Sequence, residues 1–402
     1  MLNAFKRRFR TILQRFLLLA ILGAIFMLVV SYMNLEFCYK IMSQNSLTYM
    51  CKKYKNYEYS GSLCEELCAN EQSFKSFKCP QADMGTIMFT AEKNGDVYAV
   101  KLARHIKDDL SWINSQGIQV YPKIENFHHI VKMHITLTYN VTLDDNMIKA
   151  LVNQEIDKNN PHQMLNFWRL FKDNNYMMSK LYDEDSLFPT VLGSCGPYYA
   201  TENLNILKTE QSLLQYISSD WQKRLKYALS LMEFVFKMDE MKPEPLRMCK
   251  MKISNFGVTG DKRIKYENAE HVYVETKIDK RLSDGSACED DSDCNFHYCM
   301  GKCDAKTLTC NGLQQNNNLQ IFCDKILKGG GLFPGLLASA KTPKNLMKMV
   351  KNCIDPSKFS NLHVPDRPYA PNTELALRLY NEMKRLHKVE PPKETMAVVG
   401  AN

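Results

Sequence analysis

Fourteen cysteines are the largest stock of reactive side chains in this 402-residue sequence, and their spacing selects among the things sulfur can do. From Cys288 the order runs C-x5-C-x4-C-x3-C-x6-C through Cys294, Cys299 and Cys303 to Cys310. A structural zinc site draws its thiolates from close C-x2-C pairs, and this cluster has none. Disulfide chemistry remains. The candidates for it are Cys51, Cys64, Cys68, Cys79, Cys288, Cys294, Cys299, Cys303, Cys310, Cys323 and Cys353. Cys195 and Cys249 stand apart, as core thiols or as partners of distant cysteines. Spacing alone does not fix a connectivity among so many. The acidic residues around the cluster (Asp284, Glu289, Asp290, Asp291, Asp293) are read as solvated charges. His128 and His129 lie beside apolar positions and are read as structural rather than as metal ligands. Asn140-Val141-Thr142 is an acceptor sequence for N-glycosylation.

All fourteen cysteines lie on one side of a single apolar run, Phe16 to Met33, which carries no charge. As a helix rising about 1.5 Å per residue, that run covers ~27 Å and just crosses a hydrocarbon core. Lys6, Arg7, Arg8, Arg10 and Arg15 precede it without an acidic residue. The positive-inside rule keeps such a tail in the cytosol, so the cysteines face an oxidising lumen, where disulfides persist. A signal peptide cleaved near Val29-Val30-Ser31 is the alternative, but the run is long for such a peptide. The basic cluster is also similar to cytosolic arginine motifs that hold proteins in the endoplasmic reticulum. The expected location is therefore the endoplasmic reticulum membrane, with single-pass type II topology.

The composition, 45% apolar and 24% charged, is that of an ordinary globular protein. A net charge of +8 does not call for nucleic acid, because five of the positive charges belong to the short tail. Five segments follow: a basic tail (1–15), the anchor (16–33), a cysteine-rich lumenal segment (34–82), a strand-rich lobe (83–205) and a mainly helical lobe (206–395) with a cysteine-rich insert at 284–312. Strands first and helices afterwards predict an α+β fold with two lobes.

Several elements must position whatever chemistry the lobes hold. Residues 85–91 and 96–102 are rich in β-branched and aromatic residues, and Asn94-Gly95 between them supplies the positive φ angles of a tight hairpin. Lys101 ends the second strand, where a lysine is ordinarily an exposed edge charge. Residues 190–196 and 198–202 predict two more strands joined through Cys195-Gly196-Pro197. A short helix is predicted over 209–217. Trp221, Leu225, Ala228, Leu229, Met232, Val235 and Phe236 recur at helical spacing and predict a central helix. A loop from Arg247 to Ile253 and the run Asn255-Phe256-Gly257-Val258 follow.

This order resembles a protein kinase. Tyr98-Ala99-Val100-Lys101 stands where kinases have V-A-I-K. The octapeptide Met248 to Asn255 stands where they have H-R-D-L-K-P-E-N, with Lys252 and Asn255 in register. Leu63-Cys64-Glu65-Glu66-Leu67-Cys68 after the anchor, Leu192-Gly193-Ser194-Cys195-Gly196, Cys249 and the 288–310 cluster narrow the resemblance. They are similar to the divergent protein kinase domain 1 family, cysteine-rich type II proteins of the endoplasmic reticulum. The fold implied is a bilobal protein-kinase-like domain with disulfide-rich insertions, preceded by one transmembrane helix.

The resemblance also implies roles. Lys101 would hold nucleotide phosphates, with Glu155 or Glu184 as its partner, and Asn255 would ligate magnesium or manganese beside ATP. The aspartate that accepts the hydroxyl proton is replaced by Lys250, and an ordinary lysine, with a pKa near ~10.4, is already protonated at neutral pH. Glu270-His271-Val272 is the nearest counterpart of the metal-binding Asp-Phe-Gly, and Gly85 stands alone where several glycines would approach phosphate. The family's EF-hand-like insert corresponds to residues 144–168. Asp144, Asn146 and Glu155 fit loop positions 1, 3 and 12, but Ile148 and Lys149 occupy positions that need an oxygen ligand and a glycine. Calcium is not expected there, and an amphipathic helix with Met147, Ile148 and Leu151 inward is. Three functions fit: a pseudokinase that binds or regulates an unidentified lumenal or secretory protein, an atypical kinase using ATP, and a disulfide-rich adhesion module.

Overall fold

The computed structural model describes residues 2–36, 44–69, 74–78, 87–104, 110–156, 160–207, 221–330, 333–339, 341–355 and 373–388. Cys38, Cys79, Gly85 and the helix predicted over 209–217 lie outside them. The chain divides into two compact units. The first comprises Met1–Lys123, Ala150–Lys172 and Val191–Asn203, and the second Ile124–Lys149, Asp173–Thr190 and Leu204–Asn402. Two stretches placed with the first lobe on sequence, 124–149 and 173–190, therefore group with the second unit.

The first unit is built on an antiparallel sheet of five strands, ordered Lys75–Lys78, Ile87–Lys93, Asp96–Leu102, Tyr198–Glu202 and Val191–Cys195. The predicted hairpin is present, with Asn94 at φ 55° and Gly95 at φ 88° in its turn. Gly196 makes the second turn at φ 60°, and a Cβ there would meet the Tyr59 ring at 2.5 Å. Only glycine meets both demands.

The cysteine-rich segment packs onto this sheet. Its helices Asn45–Lys55 and Cys64–Cys68 lay Leu47, Met50, Leu63 and Leu67 against Phe89, Val100 and Ala200 of the sheet. Cys51–Cys68 joins the two helices, and Cys64–Cys195 ties the second to the sheet across 131 residues of sequence.

Leu2–Glu36 forms one helix of 35 residues, and Phe16, Leu17, Leu22, Phe26 and Leu28 are all exposed on it. Among the described residues no helix is long and apolar enough to cross a membrane. The side chains of Ser31 and Tyr32, inside the apolar run, are not among those described.

The second unit is organised around the helix Trp221–Asp239, which buries Leu225, Ala228, Leu229, Met232 and Val235 as its spacing predicted. Strand Leu246–Met248 pairs with Val272–Val274, and Phe256–Val258 lies between Ile264–Tyr266 and Asn205–Ile206. The insert is stapled by Cys288–Cys303 and Cys294–Cys310, while Cys323–Cys353 links two later helices. Cys249 pairs with Cys299, so the loop and the insert are covalently joined. Among the described residues no cysteine is free.

Candidate functional site

The candidate residues form two groups, one in each unit. In the first, Lys101 is no edge charge. Its strand is the third of five, and the side chain is 1% exposed. An ammonium so far from water costs several kcal/mol unless anions or dipoles meet it. Register shows where an anion lies. Lys101 is opposite Tyr199, and Tyr199 is opposite Ser194. Directly opposed residues share a face of the sheet. The Ser194 hydroxyl donates to Glu155 Oε2, and the Ser60 hydroxyl donates to the Glu155 backbone oxygen. The buried Glu155 carboxylate is thus held over the sheet face from which Lys101 projects. Glu184, the other candidate, is exposed in a turn of the second unit.

Residues 144–155 do not form a calcium loop. The Asp144 carboxylate accepts from the Met147 N–H at 2.8 Å, so it caps a helix, Asp145–Asn153. Ile148 and Val152 are buried, whereas Met147, expected inward, is exposed. Helical geometry sends 148 and 152 to one side and 147 away from it.

In the second unit the loop around Lys250 and Asn255 is fixed by its own backbone. Asn255 Nδ2 donates to the Lys250 carbonyl at 3.1 Å and to the Tyr266 hydroxyl at 3.0 Å. Tyr266 in turn donates to the same carbonyl at 3.0 Å. Burial holds the Tyr266 phenol well above its ordinary pKa, opposed by the Asn255 bond, so it stays a donor. Phe234 and Phe256 pack on the Tyr266 ring at 6.2 and 4.8 Å. With Nδ2 spent, the Asn255 amide oxygen is the atom that could meet a cation.

The loop is braced from beneath. Asn318 Oδ1 accepts from the Met248 N–H at 2.8 Å, while its Nδ2 donates to the Leu246 carbonyl at 2.7 Å and to Asp239 Oδ1 at 2.8 Å. The Arg247 guanidinium bridges Asp239 at 2.8 Å and Glu275 at 2.6 Å. Burial pushes the Asp239 carboxyl up to about 6, against the pull of Arg247 and Asn318.

Lys250 Nζ lies 3.2 Å from His271 Nε2, and Glu270 Oε1 lies 3.2 Å from that same nitrogen. One imidazole nitrogen either accepts from the lysine or, when it carries hydrogen, donates to the glutamate. The His297 ring sits 4.2 Å from that of His271. Burial first, and the Lys250 charge second, hold His297 below its ordinary pKa, with Glu270 opposing them. Asn174 Nδ2 fixes the turn that carries Glu270 by donating to Ala269 and Val272 carbonyls at 2.6 and 2.7 Å.

The sulfurs of Cys288, Cys294 and Cys310 gather within 4.8 Å of one another, but all three are spent in S–S bonds and offer no thiolate. Among the residues that the sequence did not single out, His271 was already in view as the neighbour of Glu270. Ser194 could have been found from the pairing of its strand. Asn318 and Tyr266 give no local signal.

Two family models match the chain. Residues 7–154 match one described as the N-terminal cysteine-rich endoplasmic reticulum region of FAM69, and residues 167–356 match the protein-kinase domain of FAM69. The chain belongs to the FAM69 family, the divergent protein kinase domain 1 family that its sequence resembles, and carries that family's kinase-like domain.

Proposed function

We propose that this protein is a pseudokinase of the endoplasmic reticulum lumen, held at the membrane by its N-terminal helix, that binds and regulates another protein of the secretory pathway. One observation carries the reading. Lys250 stands where the family resemblance expects the catalytic aspartate, and its Nζ lies 3.2 Å from His271 Nε2. A lysine in that place does not supply the carboxylate that accepts the hydroxyl proton. The rest of the apparatus fits a nucleotide better than it fits transfer. Lys101, with Glu155 over the same sheet face, would meet phosphates. The Asn255 amide oxygen and the Glu270 carboxylate would hold magnesium or manganese.

The single-pass type II anchor rests on the apolar run 16–33, its basic flank and the cysteines beyond it. Six disulfides among the described residues support an oxidising compartment.

Thermal unfolding in a titration with ATP and manganese tests the reading. A rise in Tm in the wild type, abolished by Lys101→Ala or Asn255→Ala and accompanied by no ATP turnover, is the expected result. Turnover lost in both variants would replace it with the second reading, an atypical kinase acting on secretory proteins. That reading has one observation in its favour, the His271 imidazole beside Lys250, a base within reach of the loop.

A further inference from the structure

A two-stranded ribbon in the first unit holds none of the candidate residues named above. Trp112–Ile113 pairs with Gln119–Val120, and the turn between them is closed by Asn114. The Asn114 carboxamide oxygen accepts from the Gln116 and Ile118 N–H groups at 3.0 and 2.9 Å, and Gly117 takes the left-handed conformation at φ 75°. The turn therefore satisfies its own backbone without water.

Beside the polar Ser115, Gln116 and Gln119, the ribbon exposes three large apolar side chains. Trp112 is 51% exposed, Ile113 66% and Ile118 57%. Trp112 opposes Val120, and Asn114 bonds to Ile118, so Trp112, Ile118 and Val120 share one face. On the other face Ile113 opposes Gln119, whose Nε2 is held by Ser111 Oγ at 2.8 Å and the Tyr121 hydroxyl at 3.2 Å. No residue from Leu110 to Pro122 is charged, whereas a chain with 24% charged residues would place about three in such a stretch. A solvated hairpin gains from charges. A face that dips past the headgroups toward the acyl chains gains by lacking them, and tryptophan is enriched at that boundary.

We infer that this ribbon is a second, reversible membrane contact, laid by its Trp112–Ile118 face into the lumenal leaflet of the bilayer that holds the anchor. The inference rests on the anchored reading given above. Its occupant follows from chain length. Only residues 37–43 separate the helix Leu2–Glu36 from the first described residues of the lumenal unit. Seven residues span at most about 25 Å even fully extended. The unit that carries the ribbon is thereby confined to the bilayer surface, and a weak apolar contact becomes intramolecular, with the gain in effective concentration that tethering brings. Lipid is the one apolar surface that the chain always has at that distance.

The test uses the full chain in phosphatidylcholine vesicles, with and without phosphatidylcholine brominated on its acyl chains. Trp112 is one of three tryptophans and the anchor holds none, so the difference between wild type and Trp112→Phe isolates its emission. Brominated lipid should quench that component about twofold while iodide in the lumenal-side buffer leaves it bright. Ile118→Asp, at an exposed position, should reverse both. Carbonate-resistant protein whose Trp112 is open to iodide and untouched by bromine would overturn the inference and leave the anchor standing. Trp112 shielded from both quenchers would put a protein surface on the ribbon instead. Quenching by bromine that survives Ile118→Asp would also overturn it. Extraction of the chain by carbonate would overturn the anchor, and the ribbon contact with it.

Discussion

Asp239 shows how a single buried group sets a pH response. Its carboxyl is pushed up to about 6 by burial, with Arg247 and Asn318 pulling down and Glu275 and Glu240 pushing up. In the unfolded chain it titrates near ~4. Between those values the folded state binds more protons than the unfolded one, so this group's contribution to stability falls as pH rises from about 4 to 6 and is level above. Asp239→Asn should remove the slope. Chemical denaturation at several pH values, read as wild type minus variant, should show a loss on the order of 2–3 kcal/mol across that window. Ser194 offers a second residue-scale check. Ser194→Ala strips a hydroxyl donor from the buried Glu155 carboxylate and should cost about 1–3 kcal/mol by the same method. A cost near zero would mean that the carboxylate is held by other groups. Lys101 and Asn255 could be singled out as candidates because the motifs that they resemble are local in sequence. Ser194, Tyr266 and Asn318 could not, because their partners lie 39, 16 and 70 residues away and only folding brings them together.

Among elements, the strand pair at 191–202 depends on its turn and on one staple. Gly196→Ala meets both a left-handed φ and the Tyr59 ring at 2.5 Å. It should destabilise the first unit by about 2 kcal/mol or more, seen as a lowered denaturant midpoint. Replacing Cys64 and Cys195 together by serine frees a loop of 131 residues. That should cost about 2–5 kcal/mol, and a smaller loss would mean that the apolar contacts of Leu63 and Leu67 hold the segment without the bond. Legibility follows the range of the signal. Asn94-Gly95 declares its hairpin locally, and the 3.6-residue period declares the helix Trp221–Asp239. In the region 34–82 the apolar residues are sparse in sequence and announce no core. Disulfides and the sheet gather Leu47, Met50, Leu63 and Leu67 into one core instead.

For the whole molecule, the proposed lumenal orientation makes a prediction about modification. Asn140 ends the helix Ile124–Tyr139 in the left-handed conformation at φ 52°, and its side chain is exposed. A lumenal chain can be glycosylated there. Expression in secretory cells should yield one endoglycosidase-sensitive form, and Asn140→Gln should abolish it; an unglycosylated wild type would count against the lumenal orientation. The proposed orientation rests on linear features alone, the charge flank, the apolar run and the cysteine placement. The sequence did not carry the division into units, because helices 124–139 and 174–181 join the second unit from within the first stretch of strands.

The central claim is that the loop has lost its base, and transfer of labelled γ-phosphate tests it most directly. Full-length protein folded with its disulfides is supplied with ATP, magnesium or manganese, and secretory-pathway proteins as acceptors. The wild type should transfer no more label than Lys101→Ala or Asn255→Ala. Transfer by the wild type that both substitutions abolish would contradict the account.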